Sequence, residues 1–276
     1  MQVVRSREEL RSALDALPRP LGLVPTMGWL HAGHTSLIER ARDECRAVAV
    51  SIFVNPRQFD DPADLERYPR GEVRDLALCA EAGADVVWAP GVDDVYPPGF
   101  DTSVTVERLA LPLEGAARPG HFAGVTTVVA ILFGIVRPDR AYFGEKDGQQ
   151  LRVIDRMARD LHLTEVVRCP TVREPDGLAL SSRNVHLAVE DRAAAPVLRR
   201  ALLAGRAAWA DGERDAAIVR GLVSAALATE PRAAVEYVSC ADDATLAELA
   251  RIDGPALLSL AVRFGTTRLI DNVLLG

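Results

Sequence analysis

Short apolar runs bounded by turn-forming residues recur along the first part of the chain, at 21–24, 47–54, 84–88 and 140–143. Between them and after the last, apolar residues return at the spacing of one helix face, over 33–45, 72–82, 122–135 and 149–161. Apolar runs of that length read as strands covered on both faces, so the alternation predicts βαβ units and a parallel sheet with helices on both sides. In such sheets ligands bind beyond the carboxyl ends of the strands. Pro69, Pro90, Pro97, Pro98 and Pro119 punctuate the connections.

After a short strand expected near Val166 the pattern changes. Residues 169–184 are polar and turn-rich, 193–210 and 216–228 read as alanine-rich helices, and 235–239, 256–262 and 269–273 read as short strands. This predicts an α/β first domain over 1–170 and a smaller α+β C-terminal domain over 171–276.

Composition narrows the class. The hydrophobic share of 49% and charged share of 26% are those of an ordinary globular protein. A net charge of −7 argues against a nucleic-acid binder built on phosphate contacts, yet leaves room for a small anionic substrate, because local charge can oppose the net charge. The longest apolar run, 128–136, is too short to span a bilayer, and Arg5, Arg7, Glu8 and Glu9 stand where a signal peptide would be apolar, so no membrane partner and a cytoplasmic address are expected. Cys45, Cys79, Cys169 and Cys240 form no CxxC pair and read as reduced thiols.

Of the 32 cationic side chains 31 are arginine; Lys146 is the one lysine. An ammonium is a compact point charge that fits among phosphate oxygens where a planar guanidinium does not. Lys146 stands in Phe143-Gly144-Glu145-Lys146-Asp147-Gly148-Gln149-Gln150, where a strand should end and a helix begin, with Gln150 one helical turn beyond it and Asp147 able to accept from ribose hydroxyls.

Three further segments fall at strand ends or near the domain boundary. In Pro25-Thr26-Met27-Gly28-Trp29-Leu30-His31-Ala32-Gly33-His34, small residues permit close backbone approach and the following helix start offers an anion site. Either histidine alone would serve as a helix cap; as a pair at the first strand end they point to phosphate and proton chemistry. Zinc is disfavoured, since no third ligand stands at metal spacing. In Phe53-Val54-Asn55-Pro56-Arg57-Gln58-Phe59, Asn55 and Gln58 can each donate and accept, which suits a polyhydroxy acid. In Asp176-Gly177-Leu178-Ala179-Leu180-Ser181-Ser182-Arg183-Asn184, two hydroxyls followed by an arginine form a donor strip for a polyphosphate.

In order and spacing, PTMGWLHAGH, FVNPRQF, FGEKDGQQL and DGLALSSRN resemble the pantothenate synthetase family, the ligases that join pantoate to β-alanine with ATP. The likeness extends through Leu113-Glu114-Gly115, His121-Phe122-Ala123-Gly124 and the terminal Thr267-Arg268-Leu269-Ile270-Asp271-Asn272. The HxGH element alone would indicate only the wider nucleotidylyltransferase superfamily. The resemblance implies a Rossmann-like first domain, a lid-like second domain, a homodimer, and a magnesium ion accompanying ATP. It implies ATP contacts at Met27, Gly28, Trp29, Leu30, His31, Ala32, Gly33 and His34, at Gly144, Glu145, Lys146 and Asp147, and at Val172, Leu180, Ser181, Ser182 and Arg183. It gives Gln58 and Gln150 to pantoate, with Gln58 also at the β-alanine site, and places Asp75 near the metal. The catalytic set it implies is His34, His31, Lys146, Ser181, Ser182 and Arg183. Ala32, Arg74 and Gly148 depart from the family's usual acid, second acid and aromatic.

Overall fold

Strands β1 (Gln2–Val4), β2 (Leu21–Thr26), β3 (Ala47–Ile52), β4 (Val86–Trp88), β5 (Arg140–Gly144) and β6 (Glu165–Cys169) form one sheet in the order β1-β4-β3-β2-β5-β6. Every neighbouring pair is parallel. The computed structural model describes residues 1–276. Successive strands move outward from β2 to β3 and β4, then the chain returns to the other side of β2 for β5 and β6. Right-handed crossovers in opposite directions place their helices on opposite faces. Accordingly the helix Ala32–Glu44 packs with Glu72–Glu81, while Arg7–Asp15 packs with His121–Val136. The reversal puts a topological switch point between the ends of β2 and β5.

The central strands are buried almost throughout, as the continuous apolar runs require. Beneath the helix Ala32–Glu44 lies a core of Val24, Leu37, Ile38, Val48, Val50 and Tyr142. Close helix approach depends on glycine at one site: a Cβ at Gly124 would fall 2.1 Å from the carbonyl oxygen of Arg57. Only the missing side chain lets the helix His121–Val136 lie against the turn that carries Gln58.

The chain divides into two compact units, residues 1–144 with 150–169, and residues 145–149 with 170–276. In the second, β7 (Ala234–Asp242), β8 (Ala256–Phe264) and β9 (Thr267–Leu275) form an antiparallel sheet in sequence order. The helices Val197–Ala210 and Ala216–Leu227 bury Leu198, Leu202, Val219 and Val223 with Leu258, Leu260, Val262 and Val273 of that sheet. Residues 145–149 follow β5 in sequence yet cluster with this unit; Glu145–Asp147 is a 3₁₀ turn leading into the helix Gly148–Asp160. No helix is long and apolar enough to cross a membrane.

Candidate active site

In the first unit the chain leaves β2 through two consecutive left-handed residues, Gly28 at φ 83° and Trp29 at φ 52°. The second conformation is costly for a bulky residue and needs outside support. Asp75, in the first turn of Glu72–Glu81, supplies it. Its Oδ2 accepts from the Trp29 N–H at 2.7 Å and its Oδ1 from the Leu30 N–H at 2.8 Å, and the residue is only 1% exposed. Arg74 lies over the Trp29 ring at 5.2 Å and reaches Asp75 Oδ1 at 3.5 Å.

Asp75, expected near the metal, supports the loop through both of its carboxylate oxygens. No group of three or more His, Cys, Asp or Glu in the protein could hold a metal ion. Arg74, the departure from a second acid, fits this task, since a cation both stacks on Trp29 and offsets the buried charge. Asp75→Asn should lose about 2–3 kcal/mol of stability, because the amide NH₂ would face one of the two backbone donors. A denaturant titration checks this. An unchanged midpoint together with an altered magnesium requirement would make the metal, not the loop, its task.

His31 caps the helix Ala32–Glu44: its Nδ1 accepts from the Gly33 N–H at 3.1 Å. His34 Nδ1 accepts from the His31 N–H at 3.3 Å, and the two rings lie 4.1 Å apart. Backbone N–H groups can only donate, so both Nδ1 atoms are acceptors and each neutral imidazole carries its proton on Nε2. Capping thus occupies Nδ1 of each ring. The backbone hydrogen bonds set the tautomer, and in each neutral ring the donor is Nε2–H.

At the end of β3, Asn55 caps the 3₁₀ turn Pro56–Gln58 and is 1% exposed. Its Nδ2 donates to Gln58 Oε1 at 3.0 Å and to the Gly124 carbonyl at 3.1 Å, while Oδ1 accepts from Tyr96 Oη at 2.7 Å and from the Arg57 N–H at 3.3 Å. Both donors and both acceptor sites are used inside the protein. Asn55, expected among the substrate ligands, instead holds Gln58. Gln58 Nε2 reaches Met27 Sδ at 3.0 Å, which ties this turn to the histidine loop. Arg118 Nη2 donates to the Gln58 carbonyl at 3.2 Å, and His121 Nδ1 lies 2.8 Å from it. Burial pushes the Tyr96 hydroxyl up to about 12, so it remains a donor to Asn55 through the neutral range. Nothing in the sequence marks Tyr96 for this task, because its partner lies 41 residues away. Gln150 is half-buried on the helix Gly148–Asp160 in the same unit.

The second unit carries the other expected donors. Lys146 Nζ is 3.1 Å from Asp147 Oδ1, with the lysine side chain 20% exposed and the aspartate 44%. Val172 and Leu180 pair through a backbone hydrogen bond of 3.0 Å across the turn containing Gly177. Beyond it, Ser181 caps the 3₁₀ turn Ser182–His186 by accepting from the Arg183 N–H at 3.2 Å. The first unit thus assembles Met27–His34 with Gln58, and the second holds Lys146 with Asp147 and, on another loop, Ser181 to Arg183.

The histidine loop follows β2, whose end borders the switch point of the sheet. Residues 2–274 match the pantoate-beta-alanine ligase family. The chain belongs to that family. It is 58% identical over 278 residues to the pantothenate synthetase of Chloroflexus aurantiacus, covering 100% of this chain and 98% of that protein. Among solved structures, the pantothenate synthetase of Thermus thermophilus superposes with a TM-score of 0.95 at 51% identity, with 99% of each chain covered. The pantoate-beta-alanine ligase of Francisella tularensis, complexed with beta-gamma ATP and beta-alanine, gives 0.82 at 34% identity, covering 99% of this chain and 97% of that one. Likeness to both extends over the α/β sheet and the smaller antiparallel unit of this ligase family member.

Proposed function

We propose that the protein condenses (R)-pantoate with β-alanine to pantothenate, consuming ATP and releasing AMP and pyrophosphate through a bound pantoyl adenylate. The observation that carries this reading is the His31–His34 pair, whose Nδ1 atoms are occupied by backbone donors and whose protons therefore stand on Nε2. Such donors suit the α- and β-phosphates during an in-line displacement.

In the first step a pantoate carboxylate oxygen attacks the α-phosphorus, the bond from that phosphorus to the bridging oxygen breaks, and pyrophosphate leaves. In the second, the neutral amine of β-alanine attacks the acyl carbon, the amide forms, the amine loses a proton and AMP departs. No enzyme nucleophile takes part, so the chain acts by alignment and charge stabilisation. His31, His34, Lys146, Ser181, Ser182 and Arg183 serve the phosphates. Gln58 and Gln150 hold pantoate, and Gln58 also meets β-alanine. Asn55 is a positioning residue in this scheme. Neutral amides at the acceptor site favour a hydroxy acid over a phosphorylated acceptor, which would call for cations.

Magnesium enters as the counter-ion that ATP brings, with Asp75 the carboxylate expected near it. The resemblance also carries a homodimer into the proposal, to be read from light scattering. Incubation with Mg-ATP and pantoate, with and without β-alanine, tests the function. AMP, pyrophosphate and the product amide should appear together when all three substrates are present. Formation of an amide without AMP, or pyrophosphate release that ignores pantoate, would refute it.

A further inference from the structure

The stretch Thr267 to Asn272 resembles the family without any task attached to it. In the structure Asp271 and Asn272 lie in the middle of β9, opposite Leu260 and Ser259 of β8, and are 2% and 7% exposed. Successive strand residues point to opposite faces of a sheet. Leu269 and Val273 share a face with Asp271 and belong to the core under the helices, so Asn272 looks the other way.

Asn272 Nδ2 donates to the carbonyl oxygens of Glu145 at 2.8 Å and Lys146 at 2.9 Å. Its two amide hydrogens thus pin two successive peptide units, the one before Lys146 and the one after it. A Cβ at Gly148 would stand 3.0 Å from the same Nδ2, so glycine keeps that amide unpressed. Asp271 meets Arg173 as a two-pronged pair, Oδ2 to Nη1 at 2.7 Å and Oδ1 to Nη2 at 2.9 Å. Arg173 Nη1 also donates to the Gly177 carbonyl at 3.1 Å, and its backbone bridges to Ala179. That guanidinium closes the turn that delivers Leu180 to Arg183. The Asn272 N–H donates back to Asp271 Oδ1 at 2.8 Å, joining the two residues.

We infer that Asp271 and Asn272 are positioning residues that fix both donor loops of the second unit, Asn272 holding the backbone from which Lys146 projects and Asp271 holding, through Arg173, the turn before Ser181. Two loops that must present charge to one polyphosphate are thereby referenced to adjacent residues of one strand. A site borne on a rigid strand keeps its geometry better than one left to loops. The inference rests on the ligase reading for the work the loops do.

The test is a double-mutant cycle on Asn272 and Lys146 in the full-length protein, read in single-turnover formation of pyrophosphate from ATP and pantoate and of AMP from preformed adenylate. Asn272→Asp keeps the side-chain shape and removes the donors; Asn272→Ala removes both. Either should slow adenylate formation by roughly 10- to 100-fold, leave the ATP KM within about threefold, and change the reaction of preformed pantoyl adenylate with β-alanine far less. Combined with Lys146→Ala, neither should lower the rate beyond that of Lys146→Ala alone, because residues acting as a unit are not additive. Multiplying losses in the double variant, or an unimpaired first half-reaction in both single variants, would overturn the inference. If Asn272→Ala does not fold, the cycle with Asn272→Asp decides. Failure of the ligase reading would look different, since the unaltered protein would then form no pyrophosphate from ATP and pantoate.

Discussion

Lys146→Arg is expected to slow adenylate formation by about 10² or more, equivalent to about 2.7 kcal/mol of transition-state stabilisation. Charge is conserved in this change, so a lysine serving solubility or a surface ion pair would make it nearly silent; 31 other positions already use arginine. The turn from which Lys146 projects is held by Asn272 at the Glu145 and Lys146 carbonyls, which leaves the backbone little freedom to retreat from a longer, wider head group. Nζ also sits 3.1 Å from Asp147 Oδ1, and a guanidinium there would pair with that carboxylate as a fork instead of presenting a point charge to phosphate. Reaction of preformed pantoyl adenylate with β-alanine should suffer less, because pyrophosphate has already left. Quenched-flow measurement of the two half-reactions separates these outcomes. A first half-reaction at the normal rate would remove Lys146 from the chemistry.

His34→Ala should cost about 10²–10³ in the rate of adenylate formation, with much less effect on pantoate binding. The same substitution removes the ring nitrogen that accepts from the His31 N–H, so about 1 kcal/mol of stability should go with it. His34→Asn separates the two effects. Its Oδ1 can take over the backbone hydrogen bond, while nothing replaces Nε2–H. The asparagine variant should therefore melt close to the unaltered protein and remain slow. Thermal melting and single-turnover kinetics on both variants check this; a stable asparagine variant with normal turnover would make the histidine a cap and nothing more.

Much of the first unit is readable from the periodicity of the chain. The expected strand at 47–54 is Ala47–Ile52, and the expected helix at 72–82 is Glu72–Glu81, because a parallel sheet covered on both faces imprints unbroken apolar runs and one-sided helices on its sequence. The edge strand Gln2–Val4 is not readable, since three residues show no period. The helix Arg7–Asp15 is missed by apolar spacing, although Ser6 and Glu9 form a capping box that announces it. At the site, the histidines and the lysine stand out by residue type and position. The tasks of Asp75, Asn55 and Asn272 do not, because each is defined by partners far along the chain: Asp75 by Trp29 and Leu30, Asn55 by Tyr96 and Gly124, Asn272 by Glu145 and Lys146. Spacing reports which face a residue occupies. It does not report which backbone groups need a partner there, and that need decides whether a polar side chain meets substrate or holds the residue that does.

The central claim is that the acid, not the amine, is activated, and the path of one oxygen tests it most directly. Pantoate labelled with oxygen-18 in its carboxylate, turned over with Mg-ATP and β-alanine, should pass one labelled oxygen to the phosphate of AMP, because that oxygen bridges to phosphorus in the adenylate and stays with it when the amide forms. Mass spectrometry of the AMP reads the result. Labelled AMP in step with product amide is the expected outcome; label-free AMP from a reaction that makes the amide would contradict the adenylate mechanism.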